Sequence, residues 1–164
     1  MILPLYLFFV FFPGLWAAAL VGNFIIDSIL LIVIGFVVFK RFNGGFYKSA
    51  IIKAWFLGFA SDFIGAAGLF IARLAVNPDY HAEMTVWDSI HNGLYYSLYL
   101  GNSFYNPWSF LCTFGGIIIA ATAIFLFDYF ITFSKTELSK RQRVFSALAF
   151  AVFTAPYTFL IPIE

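Results

Sequence analysis

Asp27 and Asp62 are the residues whose placement calls for an explanation, because each stands near the middle of an apolar run long enough to be a membrane helix. A carboxylate at the centre of such a helix costs about 2.5 to 3.5 kcal/mol to insert, so it has to face other helices, water or a bound ion. Asn23, four residues before Asp27, falls on the same helical face and adds a second polar group there. Counted from the basic end of its run, Asp27 lies about thirteen residues in and Asp62 about nine, a difference in depth of about 6 Å along a helix. Adjacent helices would let the two side chains meet, directly or through a water. Two carboxylates that meet cannot both hold a full charge, and a shared proton is the basis of proton coupling and of diaspartyl catalysis alike. The plainer alternative is a pair of neutral acids that hydrogen-bond across helix interfaces and fix the packing.

Other candidates surround this pair. Asp128 stands about six residues inside the basic end of a third run and is expected to reach the interface or to pair with Lys135 or Arg141. Arg73 lies on nearly the same face as Asp62 but about 16 Å further along the axis, so the two share a stripe without touching. Its expected partners are a lipid headgroup, Asp79 or Glu83. Small residues flank Asp62, among them Gly58, Ser61, Gly65 and Gly68, and Gly65 marks a face against which a neighbouring backbone is expected to run close. His81 and His91, with Asp79, Glu83 and Asp88 near them in sequence, make a weak metal pattern. Without HExxH or a cysteine partner they read as part of a solvated segment. Cys112 is the only cysteine, which excludes an internal disulfide, a thiol relay and a multi-cysteine metal site. GxSxG, a phosphate loop and GxGxxG are all missing, as are the Asn-Arg flanks of diaspartyl signal peptidases and the GxGD of prepilin peptidases. No cofactor is expected, and an enzyme is the least favoured class.

The elements that must position these residues follow from composition. A chain of 164 residues that is 63% hydrophobic and 10% charged, with mean hydropathy +0.94, has far fewer charges than the ~25% of a soluble domain. The expected fold is an all-α, polytopic membrane bundle forming one domain, with spans at residues 15–39, 54–74, 108–133 and 144–163. Pro13-Gly14 sets residues 2–12 apart as a short interfacial or re-entrant segment. A cleavable signal peptide is disfavoured, because no basic region precedes the apolar stretch. Within residues 75–107, Trp87, Ile90, Leu94 and Leu98 recur at helical spacing and predict an amphipathic helix, with Tyr95, Tyr96 and Tyr99 suited to a membrane boundary. Asn106-Pro107 predicts a capped helix start, and Pro156 a kink eased by Thr154.

Charge sets the expected orientation. Eight of the nine basic residues, all except Arg73, lie in loops 40–53 and 134–143, which two spans separate and which therefore share a side. The positive-inside rule makes that side cytoplasmic in a cell membrane and puts the segment 75–107 and both termini outside. A net charge of +1 without a basic face argues against nucleic acid. The function expected first is an accessory or assembly subunit that packs with other membrane chains or with copies of itself. A small proton- or cation-coupled transporter or channel using Asp27, Asn23 and Asp62 comes second, and a diaspartyl-type membrane enzyme third.

Overall fold

The computed structural model describes residues 13–76, 85–99 and 102–160, and gives the backbone alone for residues 13–19 and Tyr99. Every regular element among the described residues is helical: α1 (Pro13–Phe39), α2 (Gly44–Ala75), α3 (Val86–Tyr99), α4 (Pro107–Phe127) and α5 (Lys140–Phe153). A π-helical turn, Asp128–Thr132, continues α4, and a 3-10 turn, Tyr157–Leu160, follows α5. Four stretches are long and apolar enough to cross a membrane: Leu20–Phe39, Gly44–Ala75, Pro107–Thr132 and Lys140–Leu160. Residues 2–12, expected as an interfacial segment, fall outside the described residues.

Local chemistry explains where these helices begin. Asn43 accepts a hydrogen bond from the Phe46 amide at 3.0 Å, so α2 starts at Gly44 rather than at Ala54. Residues 44–53, expected as part of a basic loop, are helix because Phe46, Ala50, Ile51 and Ala54 form one buried stripe while Lys48 points out. Only residues 40–43 connect α1 to α2, and Lys40 turns the chain with φ of 56°. Asn106 caps α4 through the Ser109 amide at 2.8 Å with Pro107 in the first turn, as its sequence predicts. Ser139 and Gln142 form a capping box that starts α5 at Lys140 rather than at Val144.

The other end of α5 departs from expectation. The helix ends at Phe153 instead of kinking through Pro156. The carbonyl that Pro156 leaves without an amide, that of Val152, accepts the Tyr157 hydroxyl at 2.6 Å, whereas Thr154 bonds the Phe150 carbonyl at 2.8 Å. Tyrosine thus does the work expected of threonine.

Packing centres on α2 and α4, whose backbones approach closely at Gly65 and Gly116. Leu31 and Ile34 of α1 join Phe46, Ala50 and Ala54 of α2 in one core, and Phe133 completes it between Phe46 and Phe150. Two polar contacts tie α1 to α2: Trp55 Nε1 donates to the Leu20 carbonyl at 3.0 Å, and the Ser28 and Tyr47 hydroxyls lie 3.0 Å apart. The amphipathic α3 buries Leu94 and Leu98 with Ile90 beside them, but Trp87, expected on that stripe, is 65% exposed. Gly93 lets α3 ride on the backbone of Trp108 at the start of α4.

Candidate functional site

Three carboxylates from three helices converge on the interior. Asp27 of α1 is only 5% exposed, Asp62 of α2 is half-buried, and Asp128, where α4 becomes the π turn, is 2% exposed. Asp27 lies within electrostatic reach of both Asp62 and Asp128. The depth reading from sequence thus places Asp27 and Asp62 in one region, and the structure adds Asp128 to it. Asn23 sits one turn from Asp27, half-buried. Asp62 Oδ1 is buried without a hydrogen-bond partner, and the buried Asp128 carboxylate has the Thr132 hydroxyl as its neighbour. The side chains do not close on a single point, since no group of three His, Cys, Asp or Glu among the described residues is gathered tightly enough to hold a metal ion.

Asp128 corrects its sequence reading. It was expected at the interface with Lys135 or Arg141, yet both cations are exposed while the carboxylate is enclosed. The reason is the π turn, which packs against α2 and α5 and holds Asp128 and Thr132 inside. Such wide turns occur mostly as single insertions in α-helices, frequently at functional sites. Thr132 and Ser146 are both fully buried, and the Ser146 hydroxyl has no hydrogen-bond partner. Leaving a buried polar group without a partner costs about 1 to 3 kcal/mol, and the Thr132 hydroxyl beside the Asp128 carboxylate offsets part of that cost.

The opposite end is better satisfied. The Ser97 and Thr113 hydroxyls lie 2.7 Å apart, the Thr113 proton faces both the Ser103 hydroxyl (3.0 Å) and the Ser109 carbonyl (2.9 Å), and Ser103 donates to the Phe159 carbonyl (2.7 Å). This chain binds α3, α4 and the 3-10 turn together. Arg73 falls here, half-buried, with its Nε unpartnered and His91 of α3 within electrostatic reach. Burial first, and then the Arg73 charge, push His91 below the ordinary imidazole value, against the pull of Asp88. Asp79, Glu83 and His81 lie outside the described residues, so the pairing expected for Arg73 and the weak metal pattern cannot be placed. A hollow of about 350 Å³ opens between α3 and the start of α4, lined by Ser89, Asn92, Tyr96, Tyr105, Asn106 and Trp108.

Sequence reasoning did not single out Thr132, Ser146 or the Ser97–Thr113–Ser103 chain. The signal for Ser146 was present, since it precedes Phe150 by one turn and so shares the core face of α5. For Thr132 no signal existed without the π turn. Gly65, singled out as a packing residue, is indeed buried where α2 meets α4. No protein-family model, curated protein or solved structure matches the chain.

Proposed function

We propose that the chain is a multi-pass membrane protein that handles a proton or a small cation at Asp27, Asp62 and Asp128, as a small coupled transporter or channel. The observation that carries this reading is the presence of three helices' carboxylates in one interior region, Asp27 within electrostatic reach of the other two and Asp62 Oδ1 buried without a hydrogen-bond partner. Ionisable groups inside a membrane are costly to place there and mark ion pathways and proton relays. The apolar outer surface, with Val21, Ile25, Ile29 and Val33 of α1 and Phe56, Phe63 and Phe70 of α2 exposed, suits contact with lipid.

Gly65 and Gly68 of the small-residue stripe of α2, which motivated an accessory subunit, are used up inside the chain, while Gly58 stays open. Gly65 is filled by Ala120 and Gly116, and Gly68 by Ile119. That removes the main reason to invoke a partner helix at this face. The test is reconstitution of the purified chain in liposomes under an imposed proton or sodium gradient, with internal pH and cation content recorded. The parent should carry flux, and Asp27→Asn and Asp62→Asn, which keep shape and most hydrogen bonding, should elute as the parent does and lose flux at least about tenfold. Full flux in both variants, or none in the parent, sinks the proposal. A silent parent that co-purifies with unrelated membrane chains would restore the accessory reading.

A further inference from the structure

Arg73 and His91 share the contact between α2 and α3. Arg73 continues the α2 stripe of Leu69 and Val76, and His91 opens the α3 stripe of Leu94 and Leu98, at helical spacings of three and four. These apolar residues pack in one cluster with Ala72, Ile90 and Cys112, so the two stripes face each other. Their levels also agree. Leu69 fills the space beside Gly116, and Cys112, one turn nearer the start of α4, approaches the Ile90 carbonyl with its Sγ at 3.9 Å. Arg73, one turn beyond Leu69 on the antiparallel α2, therefore stands level with Ile90 and His91. In keeping with that placement, the Arg73 charge acts on the imidazole.

Neither side chain has its polar atoms fully answered. Arg73 makes no hydrogen bond or ion pair among the described residues, and its Nε and the His91 Nε2 are both buried without a partner. Asp88, the acid that acts on His91, accepts the Thr85 amide at 2.8 Å and the Thr85 hydroxyl at 2.7 Å at the start of α3. Arg73 and His91 are each half-buried and so keep part of the side chain at the surface. A guanidinium takes phosphate through two parallel N–H groups, and an imidazole beside it adds a further donor. The surrounding surface is apolar. Ile71 and Leu74 on α2 and Trp87, one turn before His91, are 64 to 66% exposed. Phe70 and Phe63 extend the Leu74 stripe down α2, also exposed. Free phosphate gains nothing from such a rim, whereas a lipid covers it with acyl chains, and tryptophan favours the level of the headgroups.

We propose that Arg73 and His91 hold the phosphate of an anionic membrane lipid at the junction of α2 and α3, with its acyl chains against Leu74, Phe70 and Phe63. Arg73 lies about 16 Å along α2 from Asp62, so this site is separate from the carboxylates.

The test is thermal unfolding of the purified full chain in neutral detergent at neutral pH, with added phosphatidylglycerol, phosphatidylcholine or inorganic phosphate. Phosphatidylglycerol should raise the Tm by roughly 5 °C or more at a hundredfold excess over its Kd. Phosphatidylcholine, whose headgroup carries its own cation, and inorganic phosphate should each give less than half of that shift. Arg73→Gln should weaken the apparent affinity for phosphatidylglycerol at least about tenfold, and His91→Asn at least about threefold. Arg73→Lys keeps the charge but loses the planar fork and should fall between the parent and Arg73→Gln. Lys135→Gln, which removes an exposed cation beyond the π turn, should keep the full shift. An equal shift with phosphatidylcholine overturns the proposal, as does an undiminished shift in Arg73→Gln or His91→Asn. A full shift with inorganic phosphate overturns the lipid assignment in favour of a small-anion site. A loss in Lys135→Gln as large as that in Arg73→Gln would mean attraction to the charge of the whole chain, and overturns it too. Ion flux through Asp27 and Asp62 is a separate measurement, so either proposal can fail alone.

Discussion

Gly65 of α2 faces Gly116 of α4 so closely that a Cβ on Gly65 would stand 2.8 Å from the Gly116 carbonyl oxygen and 2.8 Å from the Ala120 Cβ. The neighbour is backbone, which cannot swing aside as a flexible side chain can. Small residues at crossings of this kind are what allow helices to pack by backbone approach.

Gly65→Ala should therefore destabilise the chain even though alanine is the better helix former. Overpacking costs about 1 to 3 kcal/mol, against about 1 kcal/mol gained in helix propensity. Gly58 has nothing within 4 Å of its missing Cβ, so Gly58→Ala should hold or raise the Tm. Thermal unfolding of both variants in one detergent decides it. A Gly65→Ala protein that melts with the parent would mean that α2 and α4 do not approach as described.

Much of the architecture was readable because it is written in long apolar runs, whereas the boundaries depend on local detail. Lys48 and Lys53 made residues 44–53 look like a loop. Yet charges at a helix end are compatible with helix when Phe46, Ala50 and Ala54 give the segment a buried face. Asp27 and Asp62 were legible as a pair because depth along a helix can be counted from the chain. The burial of Asp128 was not, since it hangs on a π turn within the plainly apolar sequence of residues 107–132, which carries no glycine or proline at the turn to announce it.

The basic loops set an expected sidedness that labelling can check. With Cys112 replaced, single cysteines at Val86 and at Lys135, both exposed, should react with a membrane-impermeant thiol reagent from opposite faces. Val86 should label on intact cells and Lys135 only after lysis. Labelling of both on intact cells would overturn the orientation.

His91 lies on α3, outside the four long apolar stretches, and its imidazole is held below the ordinary value mainly by burial and then by Arg73. The folded state therefore prefers the neutral ring. Its contribution is intact above the unfolded value of about 6.5 and is lost as pH falls from there through the depressed folded value. Tm should drop on acidification from pH 7 towards pH 5, and His91→Asn should flatten that part of the profile. Arg73→Gln, which removes the second cause alone, should flatten it less. If His91→Asn keeps the parent's slope, other groups govern that window.

Tyr157 and Pro156 should prove thermodynamically coupled. The proline cannot supply the amide that would close the turn on the Val152 carbonyl, and the Tyr157 hydroxyl occupies that carbonyl at 2.6 Å. Tyr157→Phe should cost about 0.5 to 1.5 kcal/mol, towards the lower end because the tyrosine is about half exposed. Thr154→Val should cost less, since the Phe150 carbonyl that Thr154 bonds already accepts the Thr154 amide at 2.9 Å. In a Pro156→Ala background residue 156 regains its amide and can take over Val152, so Tyr157→Phe should lose most of its effect. The double-mutant cycle, read from unfolding midpoints in detergent, measures this directly. Strict additivity of the two changes would show that the hydroxyl does not stand in for the missing amide, and that α5 ends at Phe153 for a reason other than the proline.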